Sequence, residues 1–134
     1  MPPNELIELS KLRLENAKAL LETSQTLINA EDYKSSANRS YYAVFNAMRA
    51  CLALQMIDHK RHSGVISDFR RLYIKTDMLR PELSDIITML FDVRNQCDYN
   101  DFYIISKSDV EKQLSNARLF IGEVETLLIG LWED

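Results

Sequence analysis

Apolar positions recur along the chain at intervals of three and four, the spacing that gathers residues on one face of an α-helix. The pattern is nearly continuous and predicts five helical segments. The first runs from about Asn4 to Ile28, with Leu6, Leu9, Leu12, Ala17, Leu20 and Leu27 as its expected inward positions. Asn29-Ala30-Glu31-Asp32 interrupts it, and the two acids suit the start of a new helix, whose dipole they complement. The second segment, about Asp32 to Ile57, is apolar almost all round from Tyr41 onward. Such a helix is either central in a bundle or covered by a partner chain. The third, about Gly64 to Lys75, offers Val65, Ile66, Phe69, Leu72 and Tyr73 inward and Arg70, Arg71 and Lys75 outward, with His62 or Ser63 as a candidate cap. Pro81 fits the first turn of a fourth helix, where its missing N–H has no helical partner in any case. That helix reaches about Tyr99, with Leu83, Ile86, Leu90, Val93 and Cys97 at helical spacing. Ser108-x-x-Glu111 has the form of a capping box. Val110, Leu114, Ala117, Ile121, Val124, Leu128 and Leu131 then alternate strictly by four and three. Phe102-Tyr103-Ile104-Ile105, between the last two helices, is too short to need a strand.

The predicted fold class is therefore all-α, an up-and-down bundle of about five helices forming a single domain over residues 1–134. Composition agrees. Only three Gly and three Pro occur in 134 residues, far below the roughly 12% of average usage. A sandwich, a barrel or a Gly-rich phosphate loop would need more turn-formers. Gly64, Gly122 and Gly130 form neither a dinucleotide fingerprint nor a P-loop. No apolar run reaches the length of a membrane span, and the N-terminal residues lack the basic and apolar regions of a signal peptide. Cys51 and Cys97 read as small buried hydrophobes in a reducing compartment. The expected location is the cytoplasm. His59 and His62 without a carboxylate or thiol cluster are weak evidence for a metal, and neither a metal nor a cofactor is expected.

Charge changes this picture because it is unevenly spread. The formal net charge is −4, which excludes a uniformly basic coat. Yet residues 34–80 carry nine basic and three acidic side chains, between two acidic ends. The basic middle either compensates acidic neighbours within the fold or forms an anion-binding face. On the second helix, at about 100° per residue, Ser35, Asn38, Arg39, Tyr42, Asn46 and Arg49 share one stripe. It is either the helix's solvent edge or a polar groove for a phosphate or base. Tyr41 and Tyr42 are either core residues with satisfied hydroxyls or part of that groove. Arg94 either pairs with Asp98 at i, i+4 or serves a site, since it lies beside the apolar Leu90–Val93–Cys97 face, where a guanidinium needs an anion.

The run Ala37-Asn38-Arg39-Ser40-Tyr41-Tyr42-Ala43-Val44-Phe45-Asn46-Ala47-Met48-Arg49-Ala50 resembles the second-helix signature of HEPN (higher eukaryotes and prokaryotes nucleotide-binding) domains. Lys60 to Val65 is similar to the start of that family's third helix. Leu90-Phe91-Asp92-Val93-Arg94-Asn95-Gln96-Cys97-Asp98-Tyr99 is similar to the end of its fourth. The resemblance covers about Leu6 to Leu128 and points to the subgroup with Arg followed by Asp-Tyr. It implies a four-helix core that pairs as a two-fold homodimer, with motifs meeting at the interface. It also implies a place in prokaryotic toxin–antitoxin or defence systems, and often a minimal nucleotidyltransferase partner.

Active members are metal-independent endoribonucleases with Arg, often Asn, then His four to six residues after the Arg. Arg94 and Asn95 match the first two positions; the His position falls among Tyr99, Asn100 and Asp101. Cleavage through a ribose 2′-hydroxyl needs a proton acceptor and donor near neutral pH, which imidazole supplies. Tyrosine, with a pKa near 10, is a poor base. Candidate catalytic residues are thus Arg94, Asn95, Asp98 and Tyr99, and candidate ligand-binding residues are Asn38, Arg39, Tyr42, Asn46, Arg49 and His62. His62 either substitutes for the missing imidazole or is satisfied by local hydrogen bonds. Three functions follow as expectations: a module binding RNA, a nucleotide or a nucleotidyltransferase without the family's ribonuclease activity; a variant ribonuclease around Arg94; or a structural adaptor.

Overall fold

Helix formation follows the apolar spacing. In the computed structural model, which describes residues 2–133, α1 spans Asn4–Asn29, α2 Tyr33–Ala53, α3 His62–Phe69, α4 Glu82–Tyr99 and α5 Lys107–Glu133. The chain is all-helical, with no strand among the described residues. α3 continues into a π-helical turn, Arg70–Ile74, closed by Lys75 N–H donating to the Arg70 carbonyl at 2.9 Å. No helix is long and apolar enough to cross a membrane.

α2 is central because nearly every one of its faces is apolar. It packs against α1, α3, α4 and α5, and Tyr41, Val44, Met48, Cys51 and Leu52 are almost fully buried along it. Tyr73 of the π turn donates its hydroxyl to the Cys51 carbonyl at 2.8 Å. Phe69, Tyr73 and Phe120 stack beside it with centroids 5.5 and 5.7 Å apart. Both cysteines are buried and unpaired.

The face that α1 presents departs from the sequence pattern. Leu9 and Leu12 are exposed, and Ile7, Ser10, Arg13, Leu14, Ala17, Leu21, Ser24 and Ile28 are buried instead. The reason is close approach. Ser10, Ala17 and Ser24 recur every seven residues, facing the small residues Ser36, Ser40, Ala43, Ala47 and Ala50 of α2, and a leucine face would hold the helices apart. The buried Ser24 hydroxyl lies 2.7 Å from Ser40 Oγ and 2.8 Å from Ser36 Oγ, and donates to the Ser36 carbonyl at 3.0 Å.

Three boundaries also differ. α2 stops at Ala53, before Ile57, because Met56 N–H donates to the Ala53 carbonyl and Ile57 N–H to the Leu52 carbonyl, both at 3.1 Å. This is a Schellman ending, with Met56 left-handed at φ 57°. α5 begins at Lys107, and the hydroxyl that caps it is Ser106, accepting from Asp109 N–H at 3.0 Å; Ser108 lies inside the first turn. Buried Ile105 anchors the preceding loop and so sets this earlier start. α3 begins at His62 with no side-chain cap, while Asp32 caps α2 by accepting from Ser35 N–H at 3.3 Å.

Two stability changes follow. Ser24→Ala leaves the Ser36 and Ser40 hydroxyls short of a buried partner and is expected to cost about 1–2 kcal/mol, read as a lower urea midpoint at unchanged slope. Met56→Gly removes a left-handed penalty of about 1 kcal/mol from an 80% exposed side chain and is expected to raise that midpoint.

Candidate functional site

The residues singled out on α2 and α4 meet where the C-terminal half of α4 crosses the N-terminal half of α2. Tyr41 and Tyr42 are consecutive and therefore diverge by about 100° around α2. Tyr41 enters the core, while Tyr42 stays half-buried and faces α4. Arg94 comes in from α4 with only 12% of its side chain exposed. Its guanidinium carbon lies 5.6 Å from the Tyr41 ring centre, 5.3 Å from that of Tyr42 and 5.5 Å from that of Tyr99. The faces of these rings attract a cation that has given up much of its water.

The polar contacts complete the cage. Arg94 Nη2 donates to the Tyr42 hydroxyl at 3.0 Å, and Nη1 to Asn95 Oδ1 at 3.1 Å. Nε forms an ion pair with Asp98 Oδ2 at 2.9 Å, one turn along α4, although its N–H is poorly aligned with the carboxylate and makes no hydrogen bond. Asp98 is held from α2, accepting from Asn38 Nδ2 at 3.0 Å, and Asn38 in turn accepts from Arg39 at 2.7 Å. Lys34, Ser35, Asn38, Arg39, Cys97 and Asp98 line one shallow hollow, and Asn95, Gln96, Tyr99 and Asn100 line the next.

The α2 stripe therefore divides. Asn38, Arg39 and Tyr42 join Arg94, Asn95, Asp98 and Tyr99. Asn46 instead folds back to donate to the Tyr42 carbonyl at 2.9 Å. Arg49 turns to Asp58 at 3.3 Å, beside Arg13, whose Nη1 donates to the Arg49 carbonyl at 3.1 Å.

His62 reaches the same cluster from the start of α3. Its ring packs on Phe45 with centroids 4.3 Å apart and lies parallel to Tyr41 at 5.7 Å. Its Nδ1 is 2.9 Å from the Tyr41 hydroxyl. Burial, then the charge of Arg94, pushes the His62 pKa below its ordinary value. Burial drives the Tyr41 phenol well above its own. A phenol that keeps its proton donates, so we assign Nδ1 as the acceptor and place the ring proton on Nε2. His59 does not share this site: its Nε2 pairs with Asp68. No cluster of three metal-ligating side chains occurs among the described residues.

This geometry can hold an anion against a guanidinium and two tyrosines. The sequence pattern alone missed the bridge from Asp98 to Asn38 and the contributions of Phe45 and Phe91, the latter 5.8 Å from Tyr41. The signal for them was the aromatic spacing opposite an Arg–Asp pair.

Comparison with known proteins supplies the lineage. The HEPN domain model matches residues 10–127. The chain belongs to the HEPN family. A Methanocaldococcus jannaschii protein named "Putative toxin MJ0142" is 35% identical over 92% of this HEPN chain and 83% of its own length. A second from that organism, "Putative toxin MJ0605", is 26% identical over 92% and 86%. A Thermotoga maritima protein named "UPF0332 protein" is 27% identical over 96% and 97%.

The depressed His62 pKa makes this site pH-sensitive in a fixed direction. Below about pH 6.5 the unfolded chain takes up a proton at His62 that the folded HEPN chain resists. Stability therefore falls as pH drops, until the folded pKa is passed. Proton NMR of the imidazole should give a midpoint below 6.5; one at or above it would contradict the assigned environment. His62→Phe should flatten the stability profile across the same window.

Proposed function

We propose that this HEPN protein binds the phosphate of an RNA or nucleotide at the Arg94 cage, as a member of a prokaryotic toxin–antitoxin or defence system, without the family's ribonuclease activity. One observation carries the second half of that reading. The residues that follow Arg94 on α4 include no imidazole, and the imidazole that α3 supplies has Nδ1 engaged by Tyr41 and a proton on Nε2. Neither nitrogen is free to take a 2′-hydroxyl proton. Arg94 retains the features of a phosphate ligand: a planar fork of donors, low exposure, and partners that are side chains of modest acceptor strength.

The toxin–antitoxin setting draws on relatives named as toxins and on the resemblance of the Arg94-to-Tyr99 segment to the Asp-Tyr subgroup. The same reading expects a homodimer and a minimal nucleotidyltransferase as partner protein. A second reading, a variant ribonuclease, is favoured by His62 lying in the cage. A base there would take the 2′-hydroxyl proton as that oxygen attacks phosphorus. Arg94 would stabilise the added charge, and an acid would protonate the departing 5′-oxygen.

Titration with a short single-stranded RNA and with a mononucleotide separates these readings. Binding is expected in the micromolar range, weakening as salt rises because bound cations are displaced. Arg94→Ala should weaken it by about tenfold or more, the value of a lost charged hydrogen bond, with Arg94→Lys retaining part. RNA is expected to stay intact with and without added divalent metal. Cleavage that disappears in His62→Ala would establish the ribonuclease instead. Binding to neither ligand would leave the adaptor reading.

A further inference from the structure

A hole and a knob, both without partners, lie on opposite sides of the Arg94 cage. The hole is a groove of about 560 Å3 between α3, with its π turn, and α4. Ile66, Ile87 and Phe91 form its apolar floor, and Arg70, Arg71 and Lys75 line one wall. Among the described residues Lys75 has no ion pair, and Arg71 shares Asp68 with His59. Arg70 donates to the Ser84 carbonyl at 3.0 Å and to Thr88 Oγ1 at 2.6 Å, yet its buried Nε has no acceptor. A π turn is itself a feature found often at functional positions. An apolar floor under a cationic wall fits an apolar side chain flanked by a carboxylate.

The chain carries such a segment just beyond α4. Phe102 is 94% exposed and Ile104 89%, the two most exposed large apolar side chains among the described residues. Asp101 precedes Phe102, in the turn closed by Tyr103 N–H donating to the Asn100 carbonyl at 3.0 Å. Tyr99, 74% exposed, extends the same patch.

Both features hang on one helix, and that fixes how two copies would meet. The groove wall, Ile87 to Phe91, lies four to eight residues before Asn95, about 6–12 Å along the axis. Tyr99 lies four residues after it, about 6 Å, with Phe102 in the next turn. A two-fold axis near Asn95 sets two α4 helices antiparallel and each knob over the other's hole. Because the contact is made twice, the assembly closes as a dimer and does not grow into a filament.

We infer that Phe102 and Asp101 of one copy dock in the α3–α4 groove of a second copy, Phe102 on the apolar floor and Asp101 toward Arg70, Arg71 and Lys75. This names the surface of the dimer proposed above and rests on that reading. It also brings the two Arg94 cages, each with its Tyr99, into one shared cleft.

Light scattering at tens of micromolar, together with cysteine pairing, tests it. Wild type is expected to be a dimer. Phe102→Asp should weaken dimerisation at least about tenfold, the loss typical of an anchor residue, with an unchanged melting temperature since the ring is exposed. Lys75→Glu should weaken it too, and Asp101→Lys added to that chain should restore it. Thr88→Cys protein mixed with Phe102→Cys protein should form a disulfide-linked heterodimer. A Phe102→Asp variant that dimerises as tightly as wild type, or a dimer giving no such cross-link, overturns the docking while sparing the dimer. A monomeric wild type overturns both.

Discussion

A guanidinium in a half-dry site is the constraint on which this molecule's functional end depends. Arg94 carries a charge that cannot be neutralised by titration, and moving it out of water costs several kcal/mol unless acceptors and π faces replace the lost hydration. The fold meets that need from three helices at once. α4 supplies Asn95, Asp98 and Tyr99, α2 supplies Tyr41, Tyr42 and the Asn38 that steadies Asp98, and α3 adds the His62 ring behind Tyr41. Each of these groups is where it is because α2 is central. A helix at the edge of the bundle would not place Tyr41 and Tyr42 between α3 and α4.

The central position of α2 was legible from its unbroken apolar run, and α5's stripe was legible from its alternation of four and three. The face of α1 was not. Leucines are stronger apolar signals than serines, so a hydropathy pattern selects Leu9 and Leu12. What sets the face is the fit of Ser10, Ala17 and Ser24 against the small residues of α2, a property of the pair and not of α1. The end of α2 was missed for a related reason: Leu54 and Ile57 are apolar because they pack beneath a Schellman turn. The start of α5 was displaced by two residues because two serines compete for the capping role, and only the position of Ile105 decides between them.

The candidate site was legible residue by residue but not as a constellation. Arg94, Asp98, Tyr42 and Asn38 each stood out, yet their convergence depends on where α4 crosses α2, which no local spacing encodes. Asn46 and Arg49 share a helical stripe with Tyr42 and nonetheless face a different neighbourhood, because Asp58 and Arg13 wait at that end. The charge asymmetry resolves similarly. Arg80 pairs with Glu123 across the bundle at 2.8 Å, which is compensation. Arg70 and Lys75 find no carboxylate among the described residues, so the basic middle is compensated only in part.

Asp98 gives the cage its character as a binding site under the reading proposed above. With a quarter of its side chain exposed and its oxygen poorly aligned with Arg94 Nε, it resembles the partly solvated pairs that contribute only about 0–1 kcal/mol. A phosphate presents more acceptor oxygens than one carboxylate edge, and charge-assisted hydrogen bonds to guanidinium are stronger when bidentate. Asp98 therefore satisfies Arg94 well enough to keep it ordered within its aromatic walls, and weakly enough to be displaced. A fully buried, well-aligned partner would have made Arg94 a structural residue; no partner at all would have left the guanidinium to drift into water. The i, i+4 spacing on α4, with Asn38 pulling the carboxylate toward α2, holds the pair between those two limits.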